Sequence, residues 1–142
     1  MKILDIHEFR EGDRHGFGHF GASRGTRNHI GVDLVANPGD YVYSPFSGEI
    51  TKEGWAYNNA DFRYIEITGK NYKCRIFYAK LDSAHYVGKT IDEGQFLGVA
   101  QDIESRYEGI TPHVHFELYK ASDINRENPL NPTEFLKKKE IW

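Results

Sequence analysis

The chain has 142 residues, 39% of them hydrophobic and 27% charged, with a formal net charge of −3. That is room for one domain with a core that closes unaided, and it excludes a general attraction to phosphate backbones or anionic membranes, so no nucleic-acid partner is expected. Cys74 is the only cysteine, which excludes an intrachain disulfide; no apolar run reaches the roughly 18 residues of a membrane helix, and Asp5 interrupts the start where a secretion signal needs an apolar stretch.

From the N-terminus, the segment Glu11 to Asn28 is rich in Gly and Arg with scattered aromatics, and reads as an ordered loop wrapping over a sheet. Leu34-Val35 continues a strand. Tyr41-Val42-Tyr43 leads through the turn Ser44 to Gly48 into the alternating run Glu49 to Lys52. Phe62 to Thr68 and Tyr72 to Tyr78 are aromatic and β-branched runs joined by Gly69-Lys70-Asn71, a hairpin signal; Cys74 within them reads as a small core residue. Gln95 to Ala100 and Val114 to Tyr119 are further short strands, separated by a polar loop from Gln101 to Pro112. The tail from Asn131 to Lys137 is helical, with Asn131 as N-cap and Pro132 at the first helical position, and the basic run Lys137-Lys138-Lys139 is its solvated end. The expected fold is mainly β: a single domain over residues 1–142, an antiparallel β-sandwich or open barrel with long loops and a short C-terminal helix.

Two clusters among the seven histidines carry chemistry: His29-Ile30-Gly31-Val32-Asp33 and His113-Val114-His115-Phe116-Glu117. A helix would also bring His29 and Asp33 to one face, but Ile30, Gly31 and Val32 are poor helix formers. On strands, period two puts His29, Gly31 and Asp33 on one face, and His113, His115 and Glu117 on one face with Val114, Phe116 and Leu118 turned to the core. Gly31 leaves a hollow between its neighbours. Zn²⁺ takes neutral imidazole and carboxylate oxygen in tetrahedral array, with three protein ligands and one open position in catalytic sites. His29, Asp33 and one histidine of the second cluster satisfy that count, and spacing goes no further.

With Phe17-Gly18, Val42 to Ile50, Phe77-Tyr78-Ala79, Gly94 to Gly98, Pro112 to Glu117 and Asn131 to Leu136 in this order, the chain resembles the lysostaphin-type zinc peptidases that cut peptide cross-links in bacterial cell walls. The resemblance covers about residues 14–136. It implies one Zn²⁺ held by His29, Asp33 and His115, with His113 a catalytic group that does not touch the metal. It implies a peptidoglycan or peptide substrate, and a place of work outside the cytoplasm if the cell wall is the target. In such a hydrolase zinc polarises the scissile carbonyl and acidifies a water, while an imidazole moves protons.

One position departs from that pattern. Active members carry a second unliganded histidine in a Tyr-x-His-Leu motif, where this chain reads Tyr78-Ala79-Lys80-Leu81. The leukocyte-derived chemotaxins, secreted vertebrate proteins on the same fold, resemble the chain in Asp13 to Gly16, in Phe77 to Lys80 and in Tyr107 to Ile110; they also carry a lysine there and bind zinc without being regarded as peptidases. Lys80 as a cation can stabilise an oxyanion but not accept a proton; as a neutral amine it is a competent base. Two functions therefore stand: a zinc metallopeptidase weakened by Lys80, and a zinc-stabilised module that recognises a glycan-peptide or protein partner without cutting. His85 is a loop histidine or a substitute for the replaced one, His15 and His19 lie in the loop that passes near the cleft, and Tyr57, Tyr78 and Tyr107 line a groove or pack its rim.

Overall fold

A computed structural model describes residues 1–24, 27–58 and 60–137. Its strands are β1 (Ser23–Arg24), β2 (Arg27–Asn28), β3 (Val32–Val35), β4 (Tyr41–Tyr43), β5 (Gly48–Tyr57), β6 (Ala60–Gly69), β7 (Tyr72–Phe77), β8 (Ala79–Leu81), β9 (Thr90–Ile91), β10 (Phe96–Ala100) and β11 (His113–Lys120). A 3₁₀ turn spans Ile103–Ser105 and an α-helix, α1, spans Thr133–Lys137. Lys138 and Lys139, the rest of the basic run, lie outside the described residues.

The mainly β expectation holds, in its open-barrel form. An antiparallel six-stranded sheet of order β3-β11-β7-β6-β5-β9 and a three-stranded sheet of order β4-β10-β8 form a half-barrel. Period-two alternation sends one row of side chains inward: Val114, Phe116 and Leu118 from β11, Ile65 and Ile67 from β6, Cys74 and Ile76 from β7, all fully buried. Val42, Leu97 and Ala79 from the smaller sheet join the same cluster. Each large side chain so buried contributes about 1.5–3 kcal/mol, which is why the alternating pattern decides the register.

The hairpin of β6 and β7 forms as expected, with Ile67 opposite Cys74. Strand β5 runs beyond the expected Lys52 to Tyr57, because Gly54 lets the Tyr64 ring lie against it: a Cβ there would stand 2.3 Å from Tyr64 Cε2. The expected strand Tyr72 to Tyr78 ends one residue early. Tyr78 adopts φ 65°, and this left-handed residue turns the chain from β7 in the large sheet into β8 in the small one. Asn131 caps α1 as anticipated, its Oδ1 accepting from Thr133 N–H at 3.1 Å.

The N-terminal arm flanks β3 on the edge away from β11. Val35 N–H donates to Glu8 O at 2.7 Å, Arg10 N–H to Asp33 O at 2.9 Å and Asp33 N–H to Gly18 O at 2.8 Å. A Cβ on Gly18 would stand 2.8 Å from Arg10 O, so the close approach of arm and strand needs glycine there. β3 is thereby held on both edges.

Candidate metal centre

Asp33 and His115 are direct partners across the antiparallel pair of β3 and β11. His29 is not on that strand, contrary to the alternation expected of the first motif. It sits in the link between β2 and β3, held by its own N–H to Ala22 O at 2.7 Å and by Gly21 N–H to its carbonyl at 2.8 Å. The link still delivers the ring to the same place. His29 Nε2 is 2.8 Å from His115 Nδ1 and 3.2 Å from Asp33 Oδ1, and His115 Nδ1 is 2.9 Å from Asp33 Oδ1. The hollow over Gly31 is filled by the His115 ring, whose Cε1 would stand 2.9 Å from an added Cβ.

The outer contacts fix which atom of each side chain faces inward. His29 Nδ1–H donates to His19 O at 2.9 Å, leaving Nε2 toward the trio. His115 Nε2–H donates to Glu117 Oε2 at 2.9 Å, leaving Nδ1, and Glu117 Oε1 accepts from Tyr119 O–H at 2.7 Å. Asp33 Oδ2 accepts from Arg10 Nη1 at 2.8 Å, leaving Oδ1. His113 Nδ1–H donates to Thr111 O at 2.7 Å, and its Nε2 stands 3.6 Å from Asp33 Oδ2.

All four groups are almost closed to solvent, so their charges are set by one another. Burial opposes ionisation of Asp33, but hydrogen bonds from His115 and His29 overcome it and hold the carboxyl well below the usual carboxylate range. Burial likewise works against a charged His115, and the hydrogen bonds to Asp33 and Glu117 outweigh it, raising the ring to about 9. At His113 burial wins over the attraction of Asp33, and its pKa is lowered.

The donor set fits a small divalent ion. Two imidazole nitrogens and a carboxylate oxygen lie within 4.8 Å of one another. With metal–ligand bonds of about 2 Å, neighbouring donors of a tetrahedral site stand about 3.3 Å apart, close to the spacings seen. A Glu117 carboxylate behind one imidazole and an Arg10 guanidinium behind the carboxylate are the outer contacts such ligands need.

The trio lies at the base of a cleft of about 700 Å³, whose wall includes Tyr57, Tyr78, Tyr107 and His15 along with His113. The three tyrosines named from the sequence thus all face it. Tyr57 and Tyr78 join hydroxyls at 3.2 Å, and the Tyr78 ring meets His113 edge-on at 5.5 Å. Lys80 does not line the cleft: its side chain is 51% exposed, with Nζ 3.9 Å from Asp61 Oδ2. His85 is also outside it, its Nε2 bonded to Phe96 O at 2.8 Å. His19 faces a separate hollow beside Phe17. Sequence reasoning missed Arg10 and gave Glu117 a face but no task. The His-x-His-x-Glu alternation was the available signal for Glu117; nothing local marks Arg10.

A half-barrel of antiparallel strands carrying a His/Asp/His group on β3, β11 and the link before them defines a peptidase-type domain. Residues 27–132 match the sequence profile of Peptidase family M23, and the chain belongs to that family. It is 36% identical over 118 residues to mouse leukocyte cell-derived chemotaxin-2, covering 82% of this chain and 76% of the relative. It is 31% identical to chicken myeloid protein 1, spanning 36% of that longer chain. In fold it is similar to the antimicrobial peptidase lysostaphin from Staphylococcus simulans, with TM-score 0.67 and 24% identity, covering 93% of this chain and 55% of that one. The isolated catalytic domain of lysostaphin matches with TM-score 0.62 and 22% identity, over 93% of this chain and 99% of that one.

Proposed function

We propose that the chain binds one Zn²⁺ through His29 Nε2, Asp33 Oδ1 and His115 Nδ1, and hydrolyses peptides of peptidoglycan cross-links at a reduced rate. The observation that carries this reading is His113. Its Nδ1–H is spent on Thr111 O, so Nε2 presents a lone pair beside the metal-binding carboxylate, and its lowered pKa keeps it neutral. Zinc, when bound, would supply a Lewis acid for the scissile carbonyl and an acidified water. His113 Nε2 takes the proton from the attacking water and returns it to the leaving amine. Tyr57, Tyr78 and Tyr107 offer flat apolar faces and hydroxyls along which an extended peptide or a sugar can lie.

Lys80 is the second group of this proposal. Resting at Asp61 outside the cleft, its ammonium adds little to the stabilisation of the charge developing on the peptide oxygen, a task it takes up only if released from Asp61. Lacking a second acid–base histidine costs about 10²–10⁴-fold in rate. The same placement of Lys80 outside the cleft favours a second reading, a zinc-stabilised recognition module that binds a glycan-peptide or a protein partner without cutting. Similarity to chemotaxin-2 over most of the chain supports that reading as well.

The deciding experiment measures release of new amino groups from purified cell wall and from oligoglycine peptides by the zinc-loaded chain and by His113→Ala at equal zinc content. Turnover that disappears in His113→Ala supports the peptidase. No turnover by the parent chain, with retention on intact cell wall in a pelleting assay, supports the recognition module.

A further inference from the structure

The N-terminal arm carries a buried charge network that the function described so far does not use, and it lies before the residues that match the family profile. Arg10 is only 4% exposed. One end of its guanidinium donates from Nη1 to Asp33 Oδ2 at 2.8 Å. The other end takes Asp13 in a fork, Nη2 to Oδ1 at 2.8 Å and Nε to Oδ2 at 3.2 Å, and Nη2 also reaches Gly16 O at 3.1 Å. Asp13 Oδ2 in turn accepts from Thr111 N–H at 2.9 Å. Thr111 O is the acceptor that fixes His113 Nδ1–H. The path therefore runs from Asp33 through Arg10, Asp13 and Thr111 to His113, and closes where His113 Nε2 stands 3.6 Å from Asp33 Oδ2.

We propose that Arg10 and Asp13 are positioning residues that set the metal-binding carboxylate of Asp33 and, through Thr111, the orientation of His113. The inference rests on the metal reading above. A carboxylate with both oxygens free can rotate or chelate with both; Arg10 occupies Oδ2 and leaves Oδ1 alone for the ion. A lone guanidinium this near a dication would repel it. Asp13 supplies the compensating charge, and the fork geometry holds the arginine flat between the two acids. Burial would raise the Asp13 pKa, but its bonds from Arg10, Thr111 and His15 drive it well below the usual range, so the compensation persists at every ordinary pH. Arm, ligand strand and the loop before β11 are thereby tied at one point.

The test is Zn²⁺ affinity by chelator competition, together with the visible spectrum of the Co²⁺-substituted chain, for the parent, Arg10→Lys, Arg10→Met, Asp13→Asn and the Arg10→Met/Asp13→Asn double variant. Asp13→Asn is expected to weaken zinc about 10-fold or more, the scale for outer partners of a ligand. Arg10→Met is expected to weaken zinc about as much and to lower the Co²⁺ absorption as the freed carboxylate adds a second oxygen. The double variant should bind no worse than Arg10→Met alone, since Asp13 reaches the carboxylate of Asp33 only through the arginine. Arg10→Lys keeps one donor for Asp33, keeps the charge, and should fall between parent and Arg10→Met even where Arg10→Met does not fold. Parent-like affinity and spectrum in Arg10→Lys and Asp13→Asn would overturn the proposal, as would tighter binding by Arg10→Met, which would mean that the site feels the charge and not the geometry. A parent chain that takes up no metal would instead defeat the metal reading itself, and this proposal with it.

Discussion

His115 and Glu117 stand two residues apart on β11, and the Glu117 carboxylate takes the Nε2–H of the His115 ring at 2.9 Å while the other edge of that ring faces Asp33. The period of a strand makes this possible, since both side chains leave the same face. The contact fixes the ring and makes its inward nitrogen a better donor to a cation. Glu117→Ala is expected to lower zinc affinity about 10–100-fold while His29, Asp33 and His115 remain in place; Glu117→Gln, which can still accept the hydrogen bond, should lose less. Chelator competition on the three proteins checks this. Equal affinities would show that the ring is held by packing against Phe77 alone.

The raised pKa of His115 ties metal binding to pH. In the metal-free chain the ring goes from about 6.5 to about 9, so protonated His115 adds stability that is complete below about pH 6.5 and is lost as pH rises toward about 9. A shift of that size corresponds to on the order of 3 kcal/mol. Melting of the chelator-treated chain should therefore fall across that window. Zinc needs the unprotonated nitrogen, so affinity should climb by up to about tenfold per pH unit over the same range and level off above it. The two trends are opposite, and melting curves with and without zinc across the window read both. An affinity that does not vary with pH there would mean the imidazolium does not form.

Much of this site was legible in the sequence, and the reason is local. The second motif is one strand of alternating side chains, so period two alone orients His113, His115 and Glu117. The first motif comes together by another route than the expected strand: His29 reaches Asp33 and His115 from the link before β3, positioned by backbone bonds to Gly21 and Ala22 that no spacing reveals. Lys80 shows the limit more sharply. The motif places it where an acid–base group is expected, but the left-handed turn at Tyr78 and the Asp61 carboxylate fix where its ammonium rests. Arg10 was invisible because its partners are 23 and 3 residues away, one on the far side of the arm.

His113→Ala is expected to bind zinc as the parent does, because its ring reaches the trio only at 3.6 Å from Asp33 Oδ2, the oxygen already occupied by Arg10. Its effect should fall on turnover instead, about 10²–10⁴-fold. Metal analysis and amino-group release on the same preparation separate the two. Loss of zinc from this variant would exchange the roles of His113 and His115.

Position 80 is the remaining test of whether the cleft is catalytic. Lys80 rests against Asp61 with half its side chain in solvent, and an exposed ion pair of this kind is worth about 0–1 kcal/mol. That is weak enough for the ammonium to leave when a peptide fills the cleft, but its resting place gives it no contact with the trio. Lys80→Ala should then lower turnover by no more than about threefold, and zinc affinity should not move. Lys80→His should raise turnover, since a second imidazole can carry the proton that a charged lysine cannot accept. Both are read as amino groups released from oligoglycine and from purified cell wall at equal zinc content. A large loss in Lys80→Ala would show that the lysine swings in and works as the oxyanion's partner. A Lys80→His variant no faster than the parent, with the parent itself inactive, would leave the cleft a recognition site, because adding the one proton carrier that position 80 lacks would then have restored nothing.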